Sequence, residues 1–227
     1  LYKGCYPNTH AYITGVSRLR KMGLIATQKK DGSLPALKLT PDAKKRLPPY
    51  LHPHEFWNKN WGKLWYILMF DVPEKNRSYR DTLRSFLKQR RFGCLQRSVW
   101  VTPWDVRADY DDLNRVASVD SVAFLFEART VLGFGNQSVV RDAWGFNQIN
   151  KVQYLYIAFA NENLMRLNQE SHSEGELIQL LRMDNLAYAQ AMSIDPLLPE
   201  ELHPENYEGP RTAQLHDELS RRVCEKL

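Results

Sequence analysis

Cationic side chains are the residues of this sequence best placed to do chemistry. Arg18, Arg20 and Lys21 fall within four residues, with Tyr12 upstream, and Lys29 and Lys30 follow as a pair beside Asp31-Gly32. A second set, Arg77, Arg80, Arg84, Lys88 and Arg91, recurs every three or four residues, the spacing of one helix face. Charges so placed can track phosphate oxygens, which fix register but carry no base sequence; the plainer reading of the second set is a solvated helix face. Asp71 is the weak metal candidate: one carboxylate supplies only half of a magnesium site. Its plainer role is to cap the next helix or to pair with an arginine. His52, His54 and Glu55 sit among prolines and make no helical i, i+4 ligand pair. There is no Ser-His-Asp spacing, no phosphate-binding glycine loop and no His-x-x-x-His pair; Gly133-Phe134-Gly135 is a turn signal. The residues therefore point to a binding protein without cofactor, not to an enzyme.

Charge is unevenly spread over the 227 residues. Residues 1–50 hold ten Lys/Arg against two Asp/Glu, and residues 51–60 balance. Residues 61–135 hold twelve against nine, and residues 136–227 eight against fourteen. A basic front on an otherwise acidic or neutral chain is the footprint of a polyanion partner. Three scattered cysteines, Cys5, Cys94 and Cys224, make neither a disulfide framework nor a zinc pattern and fit a cytoplasmic setting. No apolar run reaches the roughly 18 residues of a membrane helix, so no membrane association is expected. The chain starts at Leu1, with no signal-peptide core, which reads as a missing natural N-terminus.

Three segments must position these residues. In residues 1–50, Asn8 or Thr9 can cap a helix carrying Ile13, Val16 and Leu19, which Gly23 ends. Leu24 to Lys30 and Leu34 to Leu39 read as strands around Asp31-Gly32, and Thr40-Pro41-Asp42 opens a second helix. Residues 51–60 read as a proline-rich linker. In residues 61–135, Trp65 to Phe70 suits a buried strand, and a helix over 76–91 turns Tyr79, Leu83, Phe86 and Leu87 inward until Phe92-Gly93 closes it. Leu95 to Thr102 reads as one strand, Asp109 to Val116 as a helix, and Val122, Phe124 and Phe126 as a last strand. That order predicts a ferredoxin-like α/β sandwich with helices on one face. Residues 136–227 read as a helical domain, with Tyr154, Leu155, Ala158 and Phe159 on one apolar stripe and Leu177, Leu180, Leu181 and Leu186 on another. A proline-rich crossing at 195–204 precedes a last helix with Ala213, Leu215 and Leu219 inward. The fold class is α+β.

The first segment resembles the second half of a winged helix-turn-helix domain, from Gly15 through Ile25 and on to Leu39-Thr40-Pro41. The resemblance implies that two further helices precede Tyr2. It implies a groove-facing helix with Arg18, Lys21 and Tyr12, Arg20 nearer the backbone, and Lys29 and Lys30 at the wing tip. Taken together, the chain resembles the PaaX family, bacterial repressors of phenylacetate degradation operons. The winged segment carries that resemblance together with Phe70-Asp71-Val72-Pro73-Glu74, the helix with Arg77, Arg80, Asp81, Leu83 and Arg84, and Phe92-Gly93. So do Leu95-Gln96, Ser98-Val99-Trp100-Val101 with Pro103, and Asp195-Pro196-Leu197-Leu198-Pro199 with Leu202, Pro204, Gly209 and Ala213. Tyr207 stands where the family usually has a tryptophan, and around Tyr188-Ala189-Gln190 the family's His and Arg have no clear counterpart. The middle block is also similar to the small CRISPR adaptation nucleases, through Asp71 and Gln96-Arg97-Ser98-Val99.

The resemblance implies a homodimeric transcriptional repressor of the cytoplasm that binds double-stranded DNA and is released by an acyl-CoA such as phenylacetyl-CoA. The sequence leaves two other classes open: a metal-dependent nuclease centred on Asp71, and a winged-helix protein-interaction adaptor.

Overall fold

The computed structural model describes residues 8–28, 36–73, 76–107, 110, 123–129, 133, 135–169 and 171–227. Lys29, Lys30, the Asp31-Gly32 turn, Val122 and all but Tyr110 of the helix expected over 109–116 lie outside the described residues.

The amino-terminal part forms as its capping residues dictate. Helix α1 spans Thr9–Lys21, with the Asn8 side chain accepting the Ala11 N–H at 2.8 Å. Gly23 at φ +69° lets the helix stop: its N–H reaches Arg20 O and the Leu24 N–H reaches Leu19 O, both at 2.9 Å. These bonds satisfy carbonyls a helix end leaves open. Strands β1 (Ile25–Gln28) and β2 (Ala36–Leu39) pair antiparallel, Ile25 opposite Leu39. Thr40 caps α2 (Pro41–Arg46), accepting from the Ala43 N–H at 3.1 Å and donating to Gly23 O at 2.6 Å. One hydroxyl thus joins the end of the hairpin to the end of α1.

The segment expected as a linker is packed rather than free. A 3₁₀ turn covers Pro49–Leu51 and a short helix, α3, His54–Trp57. Trp57 is buried among the carboxy-terminal helices, and the Tyr188 hydroxyl donates to Tyr50 O at 3.0 Å. Proline density hid three aromatic anchors, Tyr50, Phe56 and Trp57, that all pack on that core.

The middle of the chain forms an antiparallel sheet. Strand β3 (Trp65–Phe70) leads to α4 (Arg77–Gln89), then β4 (Gly93–Gln96), β5 (Val99–Thr102) and β6 (Ala123–Ala128). The spatial order is β4-β5-β3-β6, the ferredoxin-like arrangement, with β5 between β4 and β3. The strand expected over Leu95–Thr102 is therefore a hairpin. Gln96-Arg97-Ser98 interrupts the apolar run, and the pairing shifts register between Cys94 and Gln96. Alternation divides β3: Tyr66, Leu68 and Phe70 meet Leu83 and Leu87 of α4, while Trp65 faces the other way. That second face is also covered, against expectation. Helix α5 (Asn136–Ala143) and Trp144 pack there with Trp61, Trp65 and Val101. Gly93 belongs to this contact rather than to the helix end: a Cβ at 93 would lie 2.6 Å from Ala143 and from the Trp144 ring.

Three helices complete the chain: α6 (Phe146–Gln169), α7 (Glu174–Met192) and α8 (Gly209–Lys226). Ser173 and Glu176 cap α7 reciprocally. The expected stripe on α6 is out of phase. Leu155 is 67% exposed and Tyr154 50%, whereas Ile149, Gln153, Tyr156, Ile157 and Ala160 are buried. On α7 the burial of Asp184 leaves Leu186 72% exposed. In α6 the buried Gln153 sits where an apolar period would have revealed the inner face, whereas on α7 Leu177, Leu180 and Leu181 pack inward as expected, with Asp184 buried beside them. Asp184 is held by the hydroxyls of Tyr156, at 2.6 Å, and Ser220, at 3.0 Å. In α8, Ala213 and Leu219 are buried and Leu215 is half-buried, as expected. Among the described residues no helix is long and apolar enough to cross a membrane.

Candidate functional site

Helix α1 presents a basic face. Arg18 and Lys21 are exposed and lie about 60° apart around the axis. Arg20 is exposed as well, but its guanidinium donates to Thr27 Oγ1 at 2.6 Å and so braces the helix on β1. Tyr12 does not join them. At 3.6 residues per turn it lies about 180° from Lys21 and within about 40° of buried Val16. It is half-buried, part of the inward side of α1. The face contains no acidic residue, since α1 has none.

A second basic region is a cleft of about 510 Å³ beside α4. Arg80, Arg84 and Lys88 line it from the helix, Arg97 and Ser98 from the hairpin turn, and Asp71 from the end of β3. Arg84 is held in place by Asp81 at 3.6 Å and by donation to Arg97 O at 3.2 Å. The buried Nε of Arg80 has no hydrogen-bond partner among the described groups. Two members of the expected stripe lie elsewhere. Arg77 is outside the cleft, its side chain 82% exposed and 3.7 Å from Asp81. Arg91 is off the helix altogether, because α4 ends at Gln89 and Arg91 takes φ +61°. Asp71 is exposed and does not cap α4, whose N-cap is Asn76. Among the described residues no cluster of three metal-ligating side chains exists. One carboxylate among four cations suits an anion better than a divalent metal, since like charges repel the metal from the site.

The third feature is the seam between the sheet and the carboxy-terminal helices. Arg91 Nε donates to Asp195 O at 3.0 Å, and Trp144 Nε1 donates to Arg91 O at 3.2 Å. Burial lowers the Arg91 pKa, and Asp195 partly offsets that. The Asp195 carboxyl is completely buried. It accepts from the Leu197 N–H at 2.7 Å, from Gln153 Nε2 at 2.7 Å and from the Tyr207 hydroxyl at 2.8 Å. Burial pushes its pKa up to about 6 despite these bonds and Arg91. Tyr207 thus contributes a buried hydroxyl that a tryptophan would lack. Above the clip lies a mostly apolar cavity of about 580 Å³, with Phe92, Trp100, Trp144, Ile149, Ile194 and Pro196 in its walls and Lys88, Gln148 and Ser193 at polar positions.

Sequence reasoning missed the seam. Phe92-Gly93 and Asp195-Pro196 both stand out in the sequence, but their contact joins residues about a hundred positions apart. An arginine directly before Phe-Gly, in a chain that buries an aspartate, is the one available hint. Arg97 was hidden inside what read as a strand.

A ferredoxin-like sheet clipped to a helical carboxy-terminal domain, behind a basic helix-hairpin, defines the class. Two family models match it: the PaaX protein central Cas2-like domain over residues 58–140 and the PaaX-like protein C-terminal domain over residues 144–226. The chain belongs to the PaaX family. It is 28% identical over 172 residues to the transcriptional repressor PaaX of Escherichia coli strain K12, an alignment covering 72% of this chain and 53% of that protein. The chain thus spans about half the length of this curated relative. The uncharacterized protein Rv0674 from Mycobacterium tuberculosis has a similar fold, with a TM-score of 0.57 at 15% identity over 96% of this chain and 83% of that one.

Proposed function

We propose that this chain is a DNA-binding transcriptional repressor of the cytoplasm, without enzymatic activity, acting as a homodimer. Its hold on double-stranded DNA is released by an acyl-CoA, of which phenylacetyl-CoA is the example the family supplies, and it serves phenylacetate catabolism. The observation that carries this reading is the acid-free outer face of α1, with Arg18 and Lys21 exposed together beside the β1-β2 hairpin. Such a helix fits the major groove, with the hairpin on the backbone. Similarity to a named repressor supports the same class.

The test is fluorescence anisotropy of the full-length protein on its own upstream DNA over a salt series. The logarithm of affinity is expected to fall linearly with the logarithm of salt. Replacing Arg18 and Lys21 together by alanine reduces that slope by about 2 where both meet phosphates, or costs about 1–3 kcal/mol of discrimination for each base edge no longer read. Binding no tighter than that of an uncharged control protein at low salt would overturn the repressor reading. Unchanged affinity and slope in the double variant would move the interface off α1.

A further inference from the structure

The cationic cleft and the apolar seam cavity are neighbours. Lys88, Cys94 and Trp100 line both. One side of this shared wall offers Arg80, Arg84 and Arg97 to an anion. The other offers Trp100, Trp144, Phe92 and Ile149 to an apolar group. We infer that the two form one bipartite site for an amphiphilic anion, with its aryl or acyl end in the seam and its phosphates in the cleft. The inference rests on the effector-released repressor reading and gives that effector a place.

Three features support it. First, the seam cavity has the size of small-ligand pockets, about 300–1,000 Å³, and their character, apolar walls with few polar groups. Second, arginines converging on a cleft match phosphate geometry, and Arg80 brings a buried donor with no protein partner among the described groups. Asp71 shares the cleft and lowers its net positive charge without cancelling it. Third, the cavity opens over the Arg91–Asp195 clip. A ligand there touches the sheet and the carboxy-terminal helices at once. It therefore binds one relative arrangement of the two better than another, the condition for shifting a population.

The experiment uses the full-length protein and tryptophan fluorescence, because Trp100 and Trp144 line the seam. The probes are phenylacetyl-CoA, free CoA and phenylacetate. Arg97→Glu and Lys88→Glu change exposed residues of the cleft, and Gln148→Trp fills the mouth of the seam from an exposed position on α6. The Glu variants are expected to weaken phenylacetyl-CoA and free CoA about tenfold or more, the worth of a charged hydrogen bond, while phenylacetate is little affected by Arg97→Glu. Gln148→Trp is expected to weaken phenylacetyl-CoA and phenylacetate but not free CoA. If phenylacetyl-CoA binds the wild type and releases DNA, and all three variants respond as wild type, the location is wrong and the repressor reading stands. If phenylacetyl-CoA neither quenches the wild type nor releases its DNA, the effector part of the proposed function fails with it.

Discussion

The basic helix-hairpin and the clipped seam use charge in opposite ways. On α1, Arg18 and Lys21 are exposed and rest on few buried side chains: among the described residues Val16, Ile25 and Ala43 are the buried apolar ones there. At the seam, Arg91 is half-buried and Asp195 buried, and Arg91 Nε donates to Asp195 O. Each of the three apolar clusters begins at Tyr50 or later, so none reaches into the helix-hairpin. Surface cations can be exchanged at little cost in stability but decide long-range attraction to a polyanion. A buried charge is costly to leave without its partners, so it favours the arrangement that satisfies it. The contrast separates the part proposed to grip DNA from the part proposed to respond to an effector.

The largest effect that would sharpen this contrast is at Trp144. It is buried, fills the space over Gly93 and donates to Arg91 O. Trp144→Ala is expected to cost about 3–5 kcal/mol of unfolding free energy, read by urea denaturation. Ile25→Ala in the helix-hairpin should cost about 2 kcal/mol there, the low end for such a truncation in a small core, and leave the unfolding midpoint of the sheet and helices unchanged. A Trp144→Ala loss under about 1 kcal/mol would break the contrast, showing the seam to be a loose contact.

Next in size is the pH dependence carried by Asp195. Its pKa rises from 3.8 to about 6, with burial as the main cause. The folded state therefore holds this proton more tightly than the unfolded chain. The stability it contributes is full below about pH 4 and is lost as pH rises through about 6. That shift is worth about 3 kcal/mol. The facing groups are the Gln153 amide, the Tyr207 hydroxyl, the Leu197 N–H and Arg91. In Asp195→Asn the difference from wild type should change by about 3 kcal/mol between pH 4 and pH 7. Parallel stability curves for the two proteins would show that Asp195 stays ionised.

How much of this was legible in the sequence depends on the range of the physics. Asn8, Gly23, Thr40 and the Ser173–Glu176 box act within a few residues, and each marks its helix end where the sequence placed it or where capping rules predict. The first strand of the sheet was legible from its apolar run and the last from alternation, while the run over 95–102 hid the hairpin at Arg97-Ser98. The inner face of α6 was not legible, because Gln153 is buried through the carboxyl of Asp195, which lies outside the helices, whereas Leu177, Leu180 and Leu181 of α7 pack inward as read and only Leu186 of that stripe is exposed. Periodicity scores a glutamine or aspartate as exposed and so rotates the helix. The exposed cations Arg18 and Lys21 were legible in the sequence; Tyr12, half-buried and about 180° from Lys21 around the axis, was not placed by it, since a tyrosine can serve a groove or a core.

The smallest effect separates the two regions most sharply. Thr40 Oγ1 both accepts from Ala43 N–H and donates to Gly23 O, so Thr40→Ala removes a cap and a tie between the hairpin and α1. A lost cap costs about 1 kcal/mol, and the second bond adds about as much again. Because no apolar cluster among the described residues links this part to the rest, the loss should appear as local opening. Amide hydrogen exchange over residues 9–46 should quicken about 5- to 30-fold, the equivalent of about 1–2 kcal/mol, while exchange in β3, β5 and α6 stays as in the wild type. Equal acceleration across the sheet would mean that the helix-hairpin unfolds together with the core. The proposed grip and response would then belong to one cooperative unit, and a ligand in the seam would act on the helix proposed to face DNA through stability alone.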